Sequence, residues 1–278
     1  MNTALRAGWA RGLIELRQSF TNGGELVSHF LWPGLTLAAM FFLRNTEFGS
    51  SGLLLGTLLL PSILGMNAAL GLVSMSQLLT ADREDGTLLR AKATPHGMPG
   101  YLIGKVVSVS GGLLADLAIF LIPGLLLVGG LDIGAGSWLS LAWVLALGMV
   151  ATLPIGAILG SAFTSARSQG VLQLPVLGVI AISGIFYPIT ALPEWLQWIA
   201  QVFPIYWLGL GMRSALLPDA AVGVEIGESW RHLETVGVLG AWAVLGLLVA
   251  PVVLRRMARG ESGSTVAERR DKALQRIG

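Results

Sequence analysis

The sequence predicts an all-α integral membrane protein, with six transmembrane helices, an amphipathic surface helix before them and an interrupted helix pair at one face. Three observations predict it. Only 12% of the 278 residues are charged, 54% are hydrophobic and the mean hydropathy is +0.72, far from the soluble norm of about 25% charged. Six nearly uncharged runs approach or exceed the roughly 20 helical residues needed to cross a hydrocarbon layer. The basic residues collect between and beyond these runs, on one side of the implied membrane.

In chain order, residues 4–20 place Leu5, Trp9, Leu13, Leu16 and Phe20 at steps of three and four, with Arg6, Arg11 and Arg17 elsewhere on the wheel. That is the pattern of a helix lying along a membrane surface. The first apolar run comes only after several charges, and no small-residue cleavage pattern precedes it, so it is read as a retained span and not as a signal. The six spans are 26–43, 52–79, 106–131, 138–163, 171–189 and 236–254. The second is long enough to tilt, to bend near Pro61 or to project from the membrane. The implied organisation is a connecting helix over 1–25, a membrane domain over 26–254 and a polar tail over 255–278.

With the N-terminus inside, Arg44, Arg213 and Arg231 are the members of the 18 Lys and Arg residues that fall outside. The outer segments hold Glu47, Asp132, Glu194, Asp219, Glu225, Glu228 and Glu234. Positively charged loops stay in the cytoplasm, so both termini and residues 80–105 are expected there, with the protein in the plasma membrane.

Residues 191–218, "ALPEWLQWIAQVFPIYWLGLGMRSALLP", are apolar but interrupted by Pro193, Glu194, Pro204, Arg213 and Pro218. Pro193 suits a first helical turn and Pro204 ends that helix early. Trp195, Trp198, Tyr206 and Trp207 are types that settle at the headgroup boundary. The segment is predicted to form two short helices dipping in and out at the outer face, shielded from lipid by protein.

The most highly charged short stretch is "DREDGTLLRAKATP", residues 82–95. Asp82, Glu84 and Asp85 precede Arg90 and Lys92, which suits a helix dipole, and Pro95 would stop the helix. The stretch reads either as a short surface helix that docks on a soluble partner or as a solvated loop that fixes topology. Its order of Asp82, Arg83, Glu84, Asp85, Gly86, Thr87, Leu88, Leu89, Arg90, Thr94 and Pro95 resembles the motif of the ABC-2 type permeases, the membrane subunits of bacterial ATP-driven exporters, and in particular the drug-resistance permeases. Lys105 opens the next span in "YLIGK", as in that family. A second stretch, "SGIFYPITALPEWLQWIAQVFPIYW" (183–207), is similar to the family's fifth span and Trp-rich re-entrant pair. Leu89 departs from the pattern, since many relatives carry Glu there, and no ion pair is assigned to it.

The resemblance implies a dimer of permeases, identical or closely related, with two ATP-binding subunits. The 82–95 segment would be the coupling helix, seated in a cleft of the ATPase. Independently of the resemblance, the chain has no GxxxxGK[ST]: its Gly104–Lys105 pair is followed by Val106. ATP and Mg are therefore expected in the partner, with no cofactor in this chain. The resemblance further places the second and fifth spans at the dimer interface and around the pathway. That makes Met66, Asn67, Met75, Gln169, Gln173, Phe186 and Tyr187 candidate lining, with Phe186, Tyr187, Trp195 and Trp198 at an outer gate. Few charges and flexible Met and aromatic walls suit a hydrophobic or amphipathic small molecule, moved out of the cell.

Asp116 lies about 16 Å beyond Lys105 at helical rise, near mid-bilayer. It either lines a polar path or proton site, or is a structural residue bonded to a neighbouring helix. His29, His96 and His232 are scattered, with no ligand spacing that suggests a metal. The pairs Gly52 and Gly56, and Gly156 and Gly160, are spaced for close helix approach. With zero cysteines there is no disulfide, thiolate metal site or thiol nucleophile. No Gly-x-Ser-x-Gly or His-Glu-x-x-His occurs, so no catalytic site is expected. The basic residues form no patch among aromatics, which argues against nucleic acid. Three rivals remain: a glycan or teichoic-acid exporter, an ATP-independent secondary transporter or channel, and an assembly subunit with no path of its own.

Overall fold

The computed structural model describes residues 2–46, 54–94, 97–129, 131, 133–163 and 165–260. Ten α-helices form among them: α1 Asn2–Ser19, α2 Gly23–Leu43, α3 Leu55–Glu84, α4 Thr87–Lys92, α5 Gly97–Leu127, α6 Ala135–Ala162, α7 Ala166–Ile182, α8 Glu194–Val202, α9 Pro204–Leu216 and α10 His232–Gly260. Short 3₁₀ turns at Ile189–Ala191, Asp219–Val224 and Ile226–Glu228 complete the described elements.

Helices α2, α3, α5, α6 and α10 are long and apolar enough to cross a membrane. The expected fifth span, 171–189, differs. Its helix α7 has 17 residues, about 25 Å at 1.5 Å per residue, at the lower end of the lengths that cross a hydrocarbon layer. It stops at Ser183 because Gly184 takes a left-handed φ of 65°, which glycine adopts at little cost and which ends a helix. Residues 183–188 form a turn packed back on the bundle, with Ile185 buried. Pro61 leaves α3 continuous, so no break occurs there.

The core gathers around α3, which packs on α6, α5 and α9. Glycines set these distances. A Cβ on Gly160 would stand 2.8 Å from the Ser76 carbonyl oxygen, and one on Gly156 would collide with the Leu72 carbonyl, so Gly156 and Gly160 bring α6 onto the backbone of α3 as their spacing suggests. Where α3 meets α9, a Cβ on Gly65 would come 2.7 Å from the Gly209 Cα. Gly52 lies outside the described residues, and Gly56 abuts Arg44.

The interrupted pair forms as expected, α8 and α9 meeting at the extended Phe203 with Pro204 as the first residue of α9. Its depth is different. Tyr206 and Trp207, expected at the headgroup boundary, are buried with Leu208, Leu210 and Met212, because α9 is wedged between α3 and α6. The Trp207 Nε1–H donates to the Gln201 carbonyl at 2.7 Å, which satisfies its polar edge inside the core. Trp195 and Trp198, on α8, stay exposed.

Helix α1 also divides its faces in an instructive way. Its contact with α5 is made by small residues: Gly8 and Gly12 are buried, and a Cβ on either would lie 2.6 Å from the carbonyl of Gly100 or Gly104. Leu5, Trp9 and Leu13 remain exposed, Trp9 at 55%, so they stay available to lipid. Leu16 and Phe20 depart from that stripe: Leu16 packs on Gly111 of α5, and Phe20 stacks on His29.

Candidate functional site

The charged segment is not one helix. Asp82, Arg83 and Glu84 form the last turn of α3, Asp85 caps it, and Gly86 at φ 80° turns the chain into the six-residue α4. The Asp85 Oδ1 accepts from the Thr87 N–H at 2.7 Å, an Asx turn that fixes the corner. Arg90 Nη2 donates to Thr87 Oγ1 at 2.8 Å, and Thr94 Oγ1 donates to the Ala91 carbonyl at 2.9 Å. Leu88 and Ala91 are buried beside Met75, Leu79, Tyr101 and Leu254. Glu84, Asp85, Arg90, Lys92 and Thr94 are exposed. Pro95 and His96 lie outside the described residues, as does the tail beyond Gly260.

Asp82 and Arg83, expected on the surface of that segment, are buried and tie it to the bundle. Arg83 Nη1 donates to the carbonyls of Ser161 and Phe163, each at 2.7 Å, so a guanidinium caps the negative end of α6. Asp82 Oδ2 accepts from the Tyr101 hydroxyl at 2.6 Å and pairs with Lys105 Nζ at 2.8 Å. Lys105 also reaches Glu15 at 2.9 Å, and Glu15 holds Arg11 at 2.8 Å. One chain of charges thus joins α1, α5 and the end of α3 where α4 begins. Burial pushes the Glu15 carboxyl up, but the hydrogen bonds and charges of Arg11 and Lys105 outweigh it and hold the group below its usual 4.5.

A polar cleft of about 710 Å³ opens between α1, α2, α3 and α5 and runs from Asp85 and Thr87 to Asp116. Asn67 lines it. Met75 does not: it lines a neighbouring apolar groove of about 250 Å³ against α5, α6 and α10. Met66 is partly buried, and Gln173 is exposed on α7. Gln169 is buried, its Nε2–H donating to Ser76 Oγ at 3.2 Å. At the far end of the bundle, Phe186 is exposed and Tyr187 donates to the Ala181 carbonyl. The turn that carries both is held by Arg213, whose Nη1 donates to the Gly184 carbonyl at 3.1 Å and whose Nε pairs with Glu225 at 2.6 Å.

Two pairings were not foreseen. His29 Nδ1 and Asp116 Oδ1 meet at 2.5 Å between α2 and α5, and Phe20 stacks on the His29 ring at 4.3 Å and 14°. The signal was present: His29 is the one titratable residue of 26–43 and Asp116 the one charge of 106–131. Ionisable groups isolated in apolar runs seek each other. The Arg213–Glu225 pair was missed for a different reason, since both were counted as loop charges. No group of three His, Cys, Asp or Glu able to hold a metal occurs among the described residues.

The sequence profile of the family described as ABC-2 type transporter matches residues 4–217, from the start of α1 to the end of α9. No curated protein matches the chain closely enough to count as a relative.

Proposed function

Because the chain belongs to the ABC-2 type transporter family, and so is the transmembrane permease component of an ABC transporter, we propose that it exports a hydrophobic or amphipathic small molecule from the cell. Two copies of an ATP-binding subunit would supply the energy and hold ATP and Mg, and a second, identical permease would complete the pathway. Both chain ends and α4 would face the cytoplasm, as the distribution of Lys and Arg suggests.

The observation that carries this reading is the anchorage of α4. It presents Arg90 and Lys92 outward, next to the exposed Asp85 that caps α3, while Leu88 and Ala91 sit in the core and Asp82 and Arg83 clamp the end of α3 to α5 and α6. A push on α4 is therefore delivered to three spans at once. Movement of a rigid element against a packed bundle is the ordinary form of such switching. ATP-driven closure needs only to favour one packing over the other. Phe186 and Tyr187 on the turn after α7, with Trp195 and Trp198 of α8, form the outer gate in this reading.

The test is co-expression with the ATP-binding subunit and replacement of Gly86 by Val. A β-branched residue is strained at φ 80°, so α4 should be misaligned while the spans persist. Nucleotide-dependent efflux should fall at least about tenfold, equivalent to roughly 1.4 kcal/mol of lost coupling, with the permease still present in the membrane. Efflux at the unsubstituted rate would refute the coupling role.

A further inference from the structure

The His29–Asp116 pair belongs to the wall of the polar cleft and not to the packed core. At about 710 Å³ the cleft has the size of sites that hold drug-like molecules. Its charge is unbalanced: Glu15, Glu25, Asp82, Asp85 and Asp116 line it, against Lys105 and His29. Lys105 is already matched by two of those carboxylates, Glu15 and Asp82. Asp116 lies deepest along α5, with its side chain 38% exposed. Oδ1 meets His29, and Oδ2 has no hydrogen bond among the described residues. The stacked Phe20 and the 2.5 Å contact hold the imidazole in place, and the imidazole in turn aims the carboxylate. Trp32, 62% exposed, lines the same cleft one turn from His29, and Leu70 and Leu113 supply apolar wall.

We propose that this cleft receives the cargo and that the cargo is an amphipathic organic cation, its charge held at Asp116 and its apolar body against Trp32, Leu70 and Leu113. This rests on the exporter reading and narrows its substrate class. A carboxylate at membrane depth is costly unless a counter-charge reaches it, and a cation gains there far more than in water. An aromatic face beside the acid adds attraction for the same kind of ligand. A phosphate-bearing glycan would meet Glu25, Asp85 and Asp116, the carboxylates that Lys105 does not match, a repulsion that selects against it.

The test uses the full chain in lipid nanodiscs and two probes of near-equal shape and opposite charge, tetraphenylphosphonium and tetraphenylborate, each measured as binding in excess of empty nanodiscs. Tetraphenylphosphonium should bind, Asp116→Asn should weaken it at least about tenfold, and Asp116→Glu should retain most of it. Tetraphenylborate should show no excess. Equal cation binding by the wild-type chain and Asp116→Asn, or equal excess for both probes, would overturn the proposal. Assembly with the ATP-binding subunit is measured on the same preparations. If Asp116→Asn assembles normally but the charge preference is absent, the substrate class alone falls. If the wild-type chain binds no ATP-binding subunit, the exporter reading falls, and the proposal with it as a statement about cargo.

Discussion

At one end of the bundle Arg11, Glu15, Lys105, Asp82 and Tyr101 form a chain in which each charge has a partner and the two members on α1 remain partly wet, Arg11 at 33% and Glu15 at 22%, while Lys105, Asp82 and Tyr101 are buried. At the other end Arg213 and Glu225 are 5% and 2% exposed, and Arg213 Nη2 and Glu225 Oε2 have no partner among the described residues. On its α1 side the first arrangement can exchange partners at low cost, because water replaces what Arg11 or Glu15 gives up as it moves. The second is dry, and loss of either member strands a charge in the core. The chain therefore has a yielding end, where α4 is presented, and a rigid end, where α9 is locked under the turn that carries Phe186 and Tyr187.

The largest expected effect breaks the rigid end. Arg213→Met should destabilise the folded protein by about 3–5 kcal/mol, because Glu225 is left buried and unpaired, whereas the double replacement Arg213→Met with Glu225→Met should recover most of that loss. Thermal unfolding in detergent, run as a double-mutant cycle, measures both. A single variant no worse than the double would remove the contrast between the two ends. A smaller effect is expected at the yielding end. Lys105→Met should cost about 1.5–3 kcal/mol, the scale of hydrogen bonds to charged groups, and should speed hydrogen exchange in α1 more than in α9.

Acid should give the smallest change. The Glu15 carboxyl is held below 4.5 in the folded chain, so its contribution is fully present above that value and is lost as pH falls through the lower folded one. Exchange of α1 amides should accelerate only below about pH 4.5. Acceleration beginning near neutrality would assign the attachment of α1 to some other group.

How much of this was legible follows from what each residue reports. Long uncharged runs declared α2, α3, α5, α6 and α10 directly, because hydrophobic length is a local property. Gly156 and Gly160 announced a close contact through their spacing alone. Trp207 and Tyr206 misled because their residue type states a preference for an interface, while the wedging of α9 between α3 and α6 is a tertiary fact that overrides it. Gly8 and Gly12 lay in plain view on the wheel of α1, yet an apolar stripe drew attention to the lipid face and away from the small-residue face that makes the protein contact. The site was less readable still. Asp82 and Arg83 sat in a charged run that looked uniformly solvated, and the change from buried to exposed falls between Arg83 and Glu84, within one helical turn. The His29–Asp116 pair joins positions 87 apart in the chain: each isolated ionisable group marked its own span as needing a partner, and only the packing of α2 on α5 says which.

The central claim is that α4 is the part of the chain a separate ATPase grips. With zero native cysteines, a single Arg90→Cys reports on α4 without background, and Trp198→Cys on α8 serves as the control at the opposite end. Maleimide labelling of each is compared with and without the ATP-binding subunit. The account predicts that assembly protects position 90 at least about tenfold and leaves position 198 unchanged; labelling of position 90 that is indifferent to the partner would contradict it.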